Sequence, residues 1–268
     1  MTNAVPDWLM GLWQRVSIET ADGARDTETE VFYLQTPTCF GDLRIPGDRP
    51  DLRQASFPSL TQETALALSQ QQGFAGIAQF EQGYCQWFRL IDYQPPQPSR
   101  DIGLLYWEHD LLIEEGVDQV YREEWQKIDD GDGDFTALVL VEPDLPPASH
   151  WSASLVIAGD YFVYSQNRSV SLPSAESLAA CLMHSTDFQE QQAYLSCEIS
   201  FGRCQTGGVP WEIQRSTVPW REGSALWSPS AWRVDWENRQ ILQTVQQEQR
   251  VWQIREWGTG RAMGVNNR

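Results

Sequence analysis

The sequence predicts an all-β protein with short helices, built as two tandem antiparallel β-barrels. Short alternating or aromatic-rich runs, each ended by a Gly, Pro or Asp cluster, dominate the first half and indicate an antiparallel meander. The second half then repeats landmarks of the first half in the same order. Because a meander of about eight strands leaves two unpaired edges, closure into a barrel is the expected arrangement.

Each run of the first half predicts one strand. These runs span 12–20, 30–36, 40–45, 74–81, 84–92, 102–108, 111–115 and 119–128. One helix is predicted over 60–72, because Ser59 suits the N-cap, Gln62 completes a capping box and Gly73 provides a C-terminal stop. A further strand, over 135–142, begins the second half.

A short motif marks the internal repeat. Residues 53–59 read RQASFPS and precede the first predicted helix, whereas residues 168–174 read RSVSLPS and precede a second predicted helix over 175–184. The chain therefore divides into a first barrel, a second and diverged barrel, and a loose C-terminal tail. We predict these units over 1–134, 135–258 and 259–268.

Net charge disfavours several classes of partner. The 268 residues include 37 Asp and Glu against 19 Lys and Arg, a formal net charge of −18. Such a field repels phosphate backbones and anionic lipid heads, so neither nucleic acid nor membrane is a predicted partner. The acidity is concentrated in residues 1–134, whose 24 acidic and 9 basic residues give −15, against −3 for the remainder. Without a signal peptide or an apolar spanning run, the sequence predicts a cytoplasmic protein.

The sequence predicts no metal site, no cofactor and no enzymatic activity. The five cysteines are scattered without a CxxC pair, which favours buried thiols in a reducing compartment. The three histidines lie at no metal-ligand spacing, and a turn residue is a better interpretation of His109 than a haem ligand. Asp130, Asp132 and Asp134 match the start of a calcium loop, but Phe135 stands where that loop needs Gly. Neither a GxSxG motif nor a Gly-rich phosphate loop is present.

Several motifs of the first half resemble a known family. Residues 8–13, WLMGLW, resemble the GxW opening of lipocalin-like barrels, in which an arginine of the last strand packs on the tryptophan. Residues 33–37 and 42–46, YLQTP and DLRIP, are similar to uncharacterised bacterial proteins and to a fungal family of duplicated lipocalin-like barrels. The yeast member of that family is known chiefly as a protein-kinase interactor. The resemblance implies two lipocalin-like barrels and no catalytic residues; it assigns structural roles to Trp13, as the barrel floor, and to Arg122, as its cationic partner.

The DLRIP run supplies the first candidate for a ligand site. Period-2 alternation places Arg44 on one strand face and Leu43 and Ile45 on the other. If the apolar pair fills an outer packing layer, Arg44 points into the barrel. A buried arginine needs a partner, and Glu108 or Glu124 on later strands could provide one, leaving donors for a ligand carboxylate or phosphate. An ion pair that only fixes the barrel register is the alternative.

Other candidates form an aromatic group with few polar members, which is typical of small-molecule pockets. They are Gln35, Trp87, Tyr106 and Trp107, together with Glu108. Ordinary core packing is the alternative interpretation of the same aromatic residues.

These observations favour a non-enzymatic protein that binds a small apolar or amphipathic molecule in the first barrel. Arg44 and Glu108 would hold the polar end of that molecule. The alternative is a protein–protein interaction module in which filled barrels act as scaffolds and the acidic surface docks a basic partner. A third possibility, an isomerase or cyclase, would need a titratable pair in the lumen, for which Arg44 with Glu108 is the candidate.

Overall fold

The structure, a computed structural model, describes residues 4–141, 151–204, 209–227, 232–245 and 248–259. Strands account for most of the regular structure, and the all-β prediction is confirmed. The first half contains β1 (Gly11–Thr20), β2 (Arg25–Asp26), β3 (Glu30–Gln35), β4 (Cys39–Ile45), β5 (Gln72–Glu81), β6 (Tyr84–Asp92), β7 (Asp101–Glu108), β8 (Leu111–Gly116) and β9 (Tyr121–Asp129). The second half contains β10 (Phe135–Val141), β11 (Trp151–Ala158), β12 (Tyr161–Gln166), β13 (Glu198–Arg203), β14 (Glu212–Ser216), β15 (Trp232–Asp235), β16 (Gln240–Val245) and β17 (Glu248–Glu256).

The first half is a closed barrel. Strands β1 and β3 to β9 pair antiparallel in sequence order, and β1 also pairs with β9. The two-residue strand β2 pairs with the C-terminal end of β1. Eight strands therefore enclose a lumen, and closure leaves no long unpaired edge in this half.

The second half forms an eight-stranded antiparallel sheet in the order β14-β13-β12-β11-β10-β17-β16-β15. No ladder joins β14 to β15 within the described residues. One face of this sheet is filled by tryptophans, since Trp211, Trp227, Trp232 and Trp252 pack against one another. The second half is thus a sheet with an aromatic-filled face, while its closure into a barrel and its origin by duplication stay predictions.

Three short helices lie outside the sheets: α1 (Gln62–Leu68), α2 (Leu178–His184) and α3 (Phe188–Tyr194). Helix α1 begins later than predicted, because residues 57–59 form a 3-10 turn and Thr61, which accepts the Thr64 N–H, is the N-cap. It also ends earlier, and Gly73 lies in β5. Helix α2 matches the second predicted helix, with Ser177 as its N-cap, whereas α3 was not predicted.

The outer face of the first barrel packs directly on the second sheet. Phe32 of β3 stacks on Phe201 of β13 with ring centroids 4.1 Å apart, and Leu43 and Ile45 are buried in the same core. Gly41 of β4 lies so close to Val163 of β12 that a Cβ at position 41 would be 2.5 Å from a methyl carbon. One hydrophobic core therefore spans both halves.

Arginines add polar links between the halves. Arg168, from the repeated motif, donates to the backbone oxygens of Asp92 at 3.1 Å and Tyr93 at 2.7 Å. Arg49 donates to the Ser216 backbone oxygen at 2.8 Å and pairs with Glu222 at 2.7 Å. These bonds bind the end of β6 and the loop after β4 to the second half.

The remaining sequence predictions concern cysteines, termini and membranes. All five cysteines lie in described segments, are buried and form no disulfide. Thr259 is held by Asp134, which accepts its N–H at 2.7 Å and its hydroxyl at 2.5 Å, and the rest of the predicted tail lies outside the described residues. None of the helices found in the described segments has the length and apolar character needed to cross a membrane.

Candidate functional site

The first barrel encloses a cavity of about 790 Å³. The strand registers show which residues lie at each end of the cavity. Trp13 lies opposite Tyr33 and Lys127 near one end. Arg44 lies opposite Gln72 towards the other end. Two layers result. The aromatic floor comprises Leu9, Trp13, Tyr33, Trp87, Leu112 and Trp125. The charged collar comprises Asp42, Arg44, Arg89, Asp101, Glu114 and Glu123.

Hydrogen bonds hold the aromatic floor in place. The Trp13 indole N–H donates to the Leu9 backbone oxygen at 2.8 Å, which holds a second 3-10 turn, Asp7–Leu9, against the barrel. The Trp87 indole donates to the Tyr33 hydroxyl at 2.9 Å, and that hydroxyl donates to Gln35. The Tyr33 and Trp125 rings are in contact, with centroids 6.0 Å apart. Because these rings are buried and mutually oriented, the floor is a preformed aromatic surface.

Arg44 is the centre of an ion-pair chain in the collar. Its Nε donates to Asp42 at 2.9 Å and its Nη1 to Glu123 at 3.1 Å. Glu123 also accepts from Arg15 at 2.8 Å, and Arg15 reaches Asp26 at 3.0 Å. Burial alone would lower the pKa of Arg44, but the Asp42 and Glu123 carboxylates raise it well above its ordinary value. The guanidinium is therefore charged and already shared between two carboxylates.

Arg89 forms the second ionic group of the collar. It donates to Asp101 and Asp92 at 2.8 and 3.2 Å, and its guanidinium lies 3.6 Å from the centre of the Phe74 ring. Burial raises the pKa of Asp92, and the Arg89 charge offsets only part of that rise. The positive charge of Arg89 is thus also balanced, by two acids and an aromatic face.

Glu114 differs from the other collar acids, because no cation of the described residues lies within ion-pair distance of it. Among the described residues, the Tyr121 hydroxyl donates a hydrogen bond to it at 2.7 Å. Glu114 lies directly opposite Glu123 in the β8–β9 register. Burial, then the charges of Glu123 and Asp101, raise the pKa of Glu114 well above its ordinary value.

Two buried polar atoms of the wall have no hydrogen-bond partner among the described residues. They are Oε2 of Glu123, whose side chain is only 1% exposed, and the indole nitrogen of Trp125. Both residues lie on the same face of β9 and line the cavity. An unsatisfied buried acceptor is costly, so this wall is suited to a ligand that donates a hydrogen bond.

Three of the sequence-predicted residues lie in this wall. Arg44 lines the collar, Trp87 belongs to the floor, and Trp13 forms the lowest part of the floor. Gln35 is fully buried but lies outside the cavity lining, and its amide donates to the Cys39 backbone oxygen at 3.1 Å.

The other candidates on β7 do not line the cavity. Tyr106 and Glu108 point outwards, because alternation places them on the face opposite Leu105. Tyr106 donates to Glu115 on the surface at 2.9 Å. Trp107 shares the face of Leu105 but lies at the end of the barrel, where it is 47% exposed.

The predicted ionic partners also need correction. Glu108 pairs with Arg122 at 2.7 Å on the outside, and Glu124 pairs there with Arg122 and Arg25. Arg122 therefore does not pack on Trp13. The cation over the Trp13 ring is Lys127, 5.3 Å from the ring centre, because Lys127 is the register neighbour of Trp13 whereas Arg122 lies at the far end of β9.

Glu114, Glu123 and Arg89 are the functional candidates that the sequence reasoning missed. A usable signal exists, because Tyr121, Glu123 and Trp125 alternate on one face of β9. Because Trp125 faces inward, the residue two positions before it, Glu123, is expected to face inward as well, whereas Glu124 is expected to face outward.

This fold and cavity define an all-β protein with a closed antiparallel barrel and an amphipathic lumen. The chain is similar to the crystal structure of the uncharacterised protein YLR301w from Saccharomyces cerevisiae: the TM-score is 0.55 at 11% identity, and the match covers 92% of this chain and 98% of that one. It also matches a lipocalin-like protein from Bacteroides uniformis, with a TM-score of 0.31, 14% identity, and coverage of 46% and 100%. No protein-family model and no curated protein matches the sequence. The yeast likeness therefore supports the fold alone.

Proposed function

We propose that the protein binds a small apolar or amphipathic molecule in the first barrel. The observation that carries this proposal is the cavity of about 790 Å³ with an aromatic floor and a charged collar. Small-molecule sites commonly occupy roughly 300–1,000 Å³ and combine apolar walls with a few placed polar groups. The aromatic-filled face of the second sheet contrasts with this lumen, which supports assigning the binding site to the first half.

The first test is native mass spectrometry of freshly purified protein, with an absorbance spectrum of the same sample. A stoichiometric extra mass that is lost on denaturation supports the proposal, and its value begins to identify the ligand. A titration with the neutral fluorophore N-phenyl-1-naphthylamine tests whether the lumen accepts an apolar molecule when no ligand is retained.

A variant pair locates that binding. Leu105→Trp adds bulk to the cavity wall, so we expect its affinity for the fluorophore to fall about tenfold or more. Val120→Trp is the matched control, because Val120 is 75% exposed, and its affinity should equal that of the wild type. Equal affinities for all three proteins would place the fluorophore outside the barrel and contradict the proposal.

A second candidate function is docking of a basic protein partner on the first half. Its support is the net charge of −15 in residues 1–134. Interaction with a protein kinase, which the family resemblance implies, would be one case of such docking. We expect association with such a partner to weaken steeply as salt rises, measured by pull-down across a salt series. A complex insensitive to salt would count against this function.

A further inference from the structure

The collar carries more negative than positive charge. Its four carboxyl groups, on Asp42, Asp101, Glu114 and Glu123, outnumber the two guanidinium groups of Arg44 and Arg89. Arg15 adds one cation at Glu123, and Asp92 adds one acid at Arg89. Arg44 and Arg89 each already hold two carboxylates at 3.2 Å or less. Arg44 is therefore poorly suited to a ligand carboxylate or phosphate, because an incoming anion would meet the surrounding acids.

The uncompensated charge is concentrated at Glu114, because Glu123 already pairs with Arg15 and Arg44. The two residues lie directly opposite each other on adjacent strands, and both line the cavity. Like charges directly opposite each other destabilise a sheet, and burial strengthens their repulsion. Because both arginines contact Oε1 of Glu123, Glu114 still needs a proton or a further cation beside it.

Glu123 supplies the atom that distinguishes a ligand site from an acidic cluster. Both of its arginine contacts are to Oε1, while Oε2 is buried and accepts no hydrogen bond from the described residues. In the next position along the same face of β9 is Trp125, whose ring contacts Tyr33 in the aromatic floor. A carboxylate oxygen without a hydrogen-bond partner, next along the strand face to an aromatic floor, suits an organic ammonium group with an apolar body.

We propose that the lumen selects a protonated amine with an apolar body, whose N–H groups bind Glu114 and Oε2 of Glu123 while the body packs on the floor. This inference rests on the proposed function and specifies its ligand class. An organic cation fits better than a metal ion, because no metal-holding group of three or more His, Cys, Asp or Glu residues occurs in the described segments. The aromatic floor also offers a metal ion no ligands.

Binding of an amine should be linked to ionisation of Glu114. The groups that face Glu114 are Tyr121 and Glu123 of β9, Asp101 of β7 and Arg44 of β4. Since burial and the neighbouring acids raise its pKa, ionisation of Glu114 is disfavoured in the free protein. An ammonium ligand favours the ionised form, so binding releases the Glu114 proton and the affinity rises with pH.

The test compares three probes of equal chain length, octylammonium, octanol and octanoate, by titration calorimetry at pH 7. We expect octylammonium to bind at least tenfold more tightly than octanol, and octanoate to bind most weakly. The affinity for octylammonium should also rise with pH in a series from pH 5 to pH 8, a range in which the probe itself stays protonated.

Variants distinguish the contribution of the carboxyl groups to binding from effects on the fold. Glu114→Gln keeps the size of the side chain and its Tyr121 contact, and we expect at least fivefold weaker octylammonium binding, unchanged octanol binding and no pH dependence. Glu123→Gln should act in the same direction; because it disturbs two ion pairs, its fold is checked by circular dichroism. Glu115→Gln is the matched control, since Glu115 is the outward, exposed neighbour of Glu114, and it should behave as the wild type.

The outcomes distinguish this inference from the function on which it rests. Equal affinities for the three probes, or tightest binding of octanoate, overturn the amine selectivity and leave small-molecule binding intact. Binding of N-phenyl-1-naphthylamine without binding of any of the three probes also overturns the amine selectivity and leaves small-molecule binding intact. If neither the fluorophore nor any probe binds, both the amine selectivity and the proposed function are overturned.

Discussion

Arg44 lies inside the barrel because its sequence neighbours lie outside it. Leu43 and Ile45 are buried in the core shared with the second sheet, which turns the intervening side chain towards the cavity. Loss of hydration at the guanidinium is offset by Asp42 and Glu123. The pairing stabilises the barrel only while both carboxylates remain charged.

We predict that Arg44→Ala lowers the free energy of unfolding by about 3–5 kcal/mol at neutral pH, because it removes the ion-pair partner of the buried Asp42 and leaves Glu123 with Arg15 alone. Burial raises the pKa of Asp42, and the loss of Arg44 should raise it further. Protonation at lower pH then relieves the repulsion, so the deficit relative to the wild type should shrink from pH 8 to pH 5. Urea denaturation at both pH values measures this.

Arg53→Ala is the matched control for that prediction. Arg53 pairs with Asp51 on the surface, where the two side chains are 60% and 62% exposed. Solvent screens such a pair, so its removal should change stability far less than the loss of Arg44. If the two variants lost equal stability, the buried chain around Arg44 would contribute no more than a surface pair.

The inward orientation of Arg44 could be predicted from alternation, whereas its partner could not. Choosing between Glu123 and Glu124 requires the phase of β9, and a one-residue shift exchanges the faces of a strand. The β1–β9 ladder contains such an irregularity between Arg15 and Ser17, close to where Glu123 and Glu124 lie. A single sequence does not show where a bulge falls, so the ionic partners of the collar required the structure.

At the level of elements, strands were easier to predict than helices. The first-half strands are signalled by period-2 alternation and by turn residues between them, and their observed bounds lie close to the predicted runs. Helix α3 has only seven residues, FQEQQAY, too few to show a helical apolar period. Helix α1 ends before Gly73 because β5 extends further towards it than the apolar pattern indicates. Short helices here are determined by packing rather than by propensity.

At the scale of the whole molecule, the two halves are joined by apolar contact between sheets. One close approach is between β4 and β12, where Gly41 faces Val163. This approach depends on the absence of a side chain at position 41. A Cβ there would be 2.5 Å from the Val163 methyl carbon, closer than atoms in packed interiors tolerate.

We predict that Gly41→Ala lowers the free energy of unfolding by about 1–3 kcal/mol, because the sheets must separate or Val163 must shift. Val163→Ala removes the obstructing methyl groups. The double variant should therefore be less destabilised than the sum of the single variants, with a coupling of about 1 kcal/mol or more. Urea denaturation of the four proteins measures the coupling. Additivity within about 0.5 kcal/mol would show that the halves do not meet as described.

The two faces of β4 have separate tasks, and this separation has an evolutionary consequence. Asp42 and Arg44 face the cavity, while Gly41, Leu43 and Ile45 face the second sheet or the core it shares. Under the proposed function, substitutions at positions 42 and 44 alter which molecules the barrel accepts, and those at positions 41, 43 and 45 alter how strongly the two halves pack together. Mutations on the cavity face can therefore change ligand preference among descendants of this chain without changing how its two halves pack.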